Sequence, residues 1–188
     1  MRKFDWCLPV QIKEASVKAT LVRAMALCLA ALVFSFAAVT QTHSGNVIFL
    51  VRHAERESQE HDAVLSVQGK KRAECLARVL HDANIQTIYV SEFTRTQQTA
   101  RPLAQALGIT PKIVPASDIE TVVFGSLKQP SGVLIVGHSD TIPEIVNKLT
   151  GRTVQVADTE YDKLILVVQE DRERMPVVLR YCDASSGP

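Results

Sequence analysis

The chain has no excess of charge of either sign: 21 Lys and Arg stand against 20 Asp and Glu in 188 residues, a net charge of +1. That balance gives no support to a general nucleic-acid binder or to a polyanionic tail. Glycine and proline are sparse, at 8 each, so there is no collagen-like, linker-like or low-complexity signature. Cysteine occupies only 4 positions, without a CxxC pair and without a Cys/His spacing that resembles a zinc site. No internal repeat is found, and no linker interrupts the sequence after about residue 45. What remains is one ordinary globular domain, long enough to bury a core without a metal or a disulfide.

A hydrophobic run of spanning length is also missing. The long charge-free stretch, Ala24 to Val39 (AMALCLAALVFSFAAV), has 16 residues, short of the roughly 18 expected of a membrane-crossing helix. It follows a basic lead-in with a net charge of +3 over residues 1–23, whereas the chain from Gln41 onward carries −2. A cationic lead-in, an apolar core and small residues behind it (Ala37, Ala38) make a secretory signal, with an uncleaved N-terminal anchor as the alternative. Residues 1–43 are therefore read as signal peptide or anchor and residues 44–188 as the folded domain. Either reading places the domain outside the cytoplasm, periplasmic or secreted, with any membrane attachment confined to the N-terminal segment. A start at Met25 would shorten the signal and remove most of its basic lead-in. Cys7 and Cys28 belong to this leader. Cys75 and Cys182 are left in the domain and are read as two buried free thiols, although an oxidising compartment would allow them to pair.

From Asn46 the sequence alternates strand-like and helix-like segments. Asn46–Val51 is a short β-branched run suited to a strand buried on both faces. Ala73, Leu76, Ala77 and Leu80 recur at helical spacing within residues 66–83, behind Ser66 as N-cap. Thr87–Ser91 reads as a second strand. Ala100, Leu103, Ala104 and Leu107 mark a second helix ending at Gly108, in which Pro102 predicts a late start or a kink. Lys112–Pro115 is a weak strand, and Ser117-x-x-Glu120 is a capping-box pattern for a third helix. Gly132–Val136 is the clearest buried strand. Thr141-x-x-Glu144 is a second capping box, opening a helix with Ile142, Ile145, Val146 and Leu149 inward. Leu164–Val168 and Val177–Tyr181 read as a hairpin at a sheet edge. Strand and helix at this pitch predict a three-layer α/β/α sandwich with a mainly parallel sheet, whose ligand crevice lies beyond the strand C-termini.

The reactive residues sit at those ends. The first strand runs out into Arg52-His53-Ala54-Glu55, the second into Ser91-Glu92-Phe93-Thr94-Arg95, and the fourth into Gly137-His138-Ser139-Asp140. Arginine supplies permanent charge and forked donors matched to phosphate oxygens. A neutral imidazole can attack through one nitrogen while the other is held by a hydrogen bond. Gly137 allows close backbone approach just before His138. From spacing alone, an anion site is a modest favourite over strand-end residues that merely cap and pack.

LVRHAE (50–55), LSVQG (65–69), SEFTRTQQTA (91–100) and VGHSDT (136–141) stand in the order typical of the histidine phosphatase superfamily, the phosphoglycerate mutase-like proteins. The chain resembles that family from about Val47 to Val168, and in size it resembles the small phosphohistidine phosphatases. The resemblance implies a phosphoglycerate mutase-like fold and a metal-independent, cofactor-free phosphatase acting on a phosphomonoester or phosphoramidate. It implies that His53 attacks phosphorus and becomes phosphohistidine, that Arg52 and Arg95 clamp the phosphate oxygens, and that His138 donates to the transferring group. The substrate side is a phosphorylated small molecule, envelope component or protein, with no nucleic acid.

The proton donor does not stand out. Mutase-type members carry a glutamate after the third strand in a glycine- and tryptophan-rich stretch; here that region reads PASDIETVVFGS. Asp118 is the better placed candidate and Glu120 the next, although a helix cap already accounts for the pattern. Asp140 follows His138 by two positions rather than directly. Glu55 and Glu92 adjoin the site, where they could simply orient Arg52 or Arg95. Without an acid, a non-catalytic phospho-ligand binding protein of the same fold is the alternative. A mutase-type phosphotransferase is disfavoured by the absence of insertions, the longest candidate lid being the polar Arg56–Val64, read as mobile.

Overall fold

A computed structural model of the protein describes residues 46–169 and 174–182. The leader assigned to residues 1–43 lies outside them. Among the described residues no helix is long and apolar enough to cross a membrane. The chain order is β1 (Val47–Arg52), α1 (Val67–Leu80), β2 (Ile85–Val90), α2 (Thr94–Leu107), β3 (Lys112–Ile113), α3 (Ile119–Leu127), β4 (Gly132–Gly137), α4 (Thr141–Thr150), β5 (Lys163–Val168) and β6 (Val177–Arg180). They build a six-stranded sheet in the order β3-β2-β4-β1-β5-β6. The first four strands of that order run parallel, and β5 and β6 return antiparallel as the expected edge hairpin.

The layers follow from the apolar spacing. One core joins Leu76 and Leu80 of α1 and Ala100 and Leu103 of α2 to Phe49, Val51 and Ile88 of the sheet. The other joins Val122 of α3 and Ile142, Ile145 and Val146 of α4 to Ile48, Leu50 and Ile135. Central strands β1 and β4 are thus covered on both faces, which is why NVIFLV and GVLIV read as unbroken apolar runs. Each fully buried aliphatic side chain is worth about 1.5–3 kcal/mol relative to exposure. The three-layer α/β/α sandwich with a mainly parallel sheet is the one expected.

Several local expectations shift. Helix α2 starts at Thr94 and runs on through Pro102, so the late start does not occur. The third helix is capped one residue later than the Ser117 pattern implies: Asp118 accepts from the Thr121 N–H at 3.1 Å. Asp140 rather than Thr141 caps α4, accepting from the Thr141 N–H, while the Thr141 hydroxyl accepts from the His138 N–H at 2.9 Å. Asp at both positions does what the Ser/Thr capping box would have done. Cys75 and Cys182 are not free thiols but a disulfide, with Cα atoms 6.3 Å apart across a sequence separation of 107. The spacing of α1 gave no sign that the chain beyond β6 would return to it.

Candidate active site

The strand order assembles the site. Strand β4 enters between β1 and β2, with Arg52 in register with Gly137 and Val90 with Val136. The residues just past those positions, His53, His138 and Ser91, therefore emerge side by side. Gly137 makes the turn possible, since a Cβ there would stand 2.8 Å from the Thr141 hydroxyl. The His53 N–H donates to the Gly137 carbonyl at 2.9 Å, locking the first and fourth exits together.

His53 is 3% exposed. Its Nδ1 lies 2.8 Å from the carbonyl oxygen of Ala54. A carbonyl can only accept, so Nδ1 holds the ring proton and Nε2 keeps its lone pair. Burial, reinforced by the charges of Arg52 and Arg95 and outweighing the Ala54 hydrogen bond, lowers the His53 pKa from 6.5 to about 3. The ring is therefore neutral at ordinary pH, with an Nε2 lone pair that could serve as a nucleophile. The loop is tied to α2 through Thr99, whose hydroxyl accepts from the Ala54 N–H at 2.9 Å and donates to the Arg95 carbonyl at 2.7 Å.

His138 packs edge-on to His53, with ring centroids 5.4 Å apart. Its Nε2 is 3.0 Å from the Ser91 hydroxyl. The Thr96 hydroxyl donates to the Phe93 carbonyl at 2.8 Å and so accepts from Ser91 at 2.9 Å. With its one proton spent on Thr96, Ser91 accepts from His138 Nε2–H, which turns Nδ1 toward Arg95 Nη2 at 3.4 Å. Burial first, then the charge of Arg95, lowers the His138 pKa from 6.5 to about 4.

The two guanidiniums are buried and held by backbone carbonyls. Arg52 donates through Nη1 to Ala157 at 2.9 Å and lies under the Tyr161 ring at 4.3 Å. Arg95 donates through Nη1 to His61 at 2.8 Å and lies over Phe93 at 4.3 Å. The Nε atoms of both are buried without a hydrogen-bond partner. Two buried arginines with unspent donors and two imidazoles make a compact site for a tetrahedral anion, where desolvation strengthens each charge. Among the described residues no group of three His, Cys, Asp or Glu is arranged to hold a metal ion.

All four residues of the expected site, Arg52, His53, Arg95 and His138, are thus brought together. The acids are dispersed. Glu55 orients neither Arg52 nor Arg95; it pairs with buried Arg72 through contacts of 2.7–3.0 Å. Glu92 accepts from the Ala116 N–H at 2.8 Å. Glu120 pairs with Lys148, and Asp140 caps α4. Asp118 is the exposed cap of α3, at the far side of a narrow cleft that it lines together with His138. The Arg56–Val64 loop, read as a mobile lid, is anchored: Asp62 accepts from the Thr94 N–H at 2.7 Å and its hydroxyl at 2.8 Å. Sequence reasoning missed the Ala157–Tyr161 segment over Arg52 and the Ser91 hydroxyl behind His138. Ser91 stood in the strand-exit motif and was legible there; the 157–161 segment carried no local signal.

The family model described as histidine phosphatase superfamily (branch 1) matches residues 48–118. No curated protein matches the sequence. Among solved structures, the chain is similar to the protein histidine phosphatase SixA complexed with tungstate, at 18% identity and a TM-score of 0.59, over 73% of this chain and 96% of that one. It is also similar to phosphoserine phosphatase in complex with 3-phosphoglyceric acid from Entamoeba histolytica, at 13% identity and 0.56, over 74% and 98%. A mycobacterial glucosyl-3-phosphoglycerate phosphatase matches at 13% and 0.54, over 73% and 98%. These likenesses show a shared fold, and the family match, which spans the RHAE and SEFTR blocks, bears out the resemblance read from the motifs.

Proposed function

We propose that this chain, of the histidine phosphatase superfamily, is a metal-independent phosphatase that works through a phosphohistidine on His53. The observation that carries the reading is the His53 ring: Nδ1 is committed to the Ala54 carbonyl, and Nε2 is left unprotonated among Arg52, Arg95 and His138. In the first half-reaction the Nε2 lone pair attacks phosphorus and the bond to the leaving group breaks. Arg52 and Arg95 offset the charge on the equatorial oxygens throughout, which is the main catalytic demand in phosphoryl transfer, and His138 joins them when the bound dianion favours a proton on its Nδ1. Water then attacks phosphorus, and the P–N electron pair returns to Nε2.

The compact domain, without enclosing insertions, favours a bulky or protein-borne phosphate, an ester or a phosphoramidate. The disulfide between Cys75 and Cys182 supports an extracytoplasmic location, since such bonds persist in oxidising compartments. Purified protein, wild type and His53→Ala, assayed with a phosphoramidate and an aryl phosphate in the presence of a chelator, tests the reading. Chelator-resistant turnover that vanishes in His53→Ala is expected; undiminished turnover in His53→Ala would contradict it.

A further inference from the structure

Resting on that reading, the acid that serves the leaving group is assigned here from geometry. His53 is buried and its Nδ1 is committed to Ala54, so a leaving group departing in line with attack by Nε2 points away from the buried ring. An exposed carboxylate beside Arg52 is Asp158, on the segment between α4 and β5. Its side chain is 86% exposed, and Oδ1 stands 3.6 Å from Nη2 of Arg52. The same oxygen accepts from the Ser139 hydroxyl at 2.7 Å, which fixes the rotamer from the His138 side. Arg52 has already spent Nη1 on Ala157, next to Asp158, so Nη2 and the unpartnered Nε are its donors for a phosphoryl oxygen. A phosphate taking Nη2 therefore arrives in contact with Asp158. The other acids near the site are turned to the backbone: Asp62 to Thr94, Glu92 to Ala116, Asp118 to Thr121 and Asp140 to Thr141.

We propose that Asp158 is the general acid and base of the reaction. In the first step Nε2 of His53 bonds to phosphorus, the P–O or P–N bond of the substrate breaks, and the leaving atom takes the proton of the Asp158 carboxyl. In the second, water bonds to phosphorus, the P–Nε2 pair returns to His53, and the water proton goes to the Asp158 carboxylate, restoring the acid. In the ligand-free protein Ser139, Arg52, Arg56 and His53 all favour the ionised carboxylate. A bound phosphate dianion occupies the Arg52 donor and adds negative charge in contact, which favours the protonated form at the moment a proton donor is needed.

The test is a leaving-group series on wild type, Asp158→Asn and Asp118→Asn, using an alkyl phosphate, a nitrophenyl phosphate and a phosphoramidate. Asp158→Asn is expected to lose about 10²–10⁴-fold in kcat on the alkyl ester and less than about tenfold on the nitrophenyl ester, whose leaving group needs little protonation. Asp158→Glu should recover part of the alkyl activity. A uniform loss, or a gain on every substrate, would make Asp158 a mere neighbour of Arg52 and overturn the assignment. So would a leaving-group-dependent loss in Asp118→Asn instead. Inactivity of the wild type on every substrate would bring down the phosphatase reading and this inference together.

Discussion

The Nδ1 of His53 lies 2.8 Å from the carbonyl oxygen of Ala54, the very next residue in the chain. An imidazole oriented by its own backbone needs no carboxylate partner to set its tautomer. Burial among guanidiniums then keeps it unprotonated. Both histidines have folded-state pKa values below the 6.5 of an unfolded chain, about 3 for His53 and about 4 for His138. In the free protein neither imidazole should titrate near 6.5 when followed by NMR. A midpoint near 6.5 for His53 would place it in water rather than in this site.

The same shifts fix the pH dependence of stability. Above pH 6.5 both histidines are neutral in folded and unfolded chains and contribute no pH dependence. As pH falls below 6.5 the unfolded chain binds protons that the folded chain refuses, so stability declines until about pH 4 for His138 and about pH 3 for His53. Each contributes at most about 1.4 kcal/mol per pH unit in its window. Urea melts at pH 7 and pH 5 should show the loss, and the double variant His53→Ala/His138→Ala should flatten it.

The Ser91 hydroxyl acts on His138 rather than on substrate. Replacing it by Ala leaves the His138 Nε2–H without its acceptor and frees the ring to turn. kcat should fall about tenfold, the equivalent of one buried hydrogen bond left unmade, with KM little changed. ¹⁵N shifts should show loss of the single Nε2–H tautomer. A shift in KM with kcat intact would assign Ser91 to binding instead.

Behind the RHAE loop, Arg72 joins Glu55 to the chain end, donating to the Cys182 carbonyl at 2.8 Å. Arg72→Met strands a largely buried carboxylate and should cost about 3 kcal/mol or more in a denaturant melt. Gly69→Ala should be harmful for another reason, as its Cβ would meet the Glu55 carbonyl oxygen at 2.1 Å. The Cys75–Cys182 bond closes a loop of 107 residues, which the chain-entropy account values at about 4–5 kcal/mol. Reduction, or Cys75→Ser with Cys182→Ser, should lower the melting midpoint accordingly. An unchanged midpoint would mean that the pair is not formed in solution.

What was legible in the sequence was what is local or repeated along the strands. Unbroken apolar runs marked β1 and β4, helical spacing marked α1, α2 and α4, and Arg52, His53, Arg95 and His138 were visible because they follow strand exits. The contacts that finish the site are long-range. Arg52 meets Ala157 across 105 residues, and Cys75 meets Cys182 across 107, separations at which no spacing rule operates. The loop at 56–64 looked free because its anchors, Thr94 and Arg95, lie on another helix. Asp158 escaped notice for the same reason: only the fold sets it beside Arg52.

The central claim is a covalent phosphoryl group on Nε2 of His53. Wild-type protein mixed with a ³²P-labelled phosphoramidate and quenched in alkali within one turnover should carry label that survives base, is released by acid, and maps to the peptide containing His53. The account predicts that label in the wild type and none in His53→Ala. Steady turnover with no trapped phosphohistidine in the wild type, or with label on another residue, would contradict it.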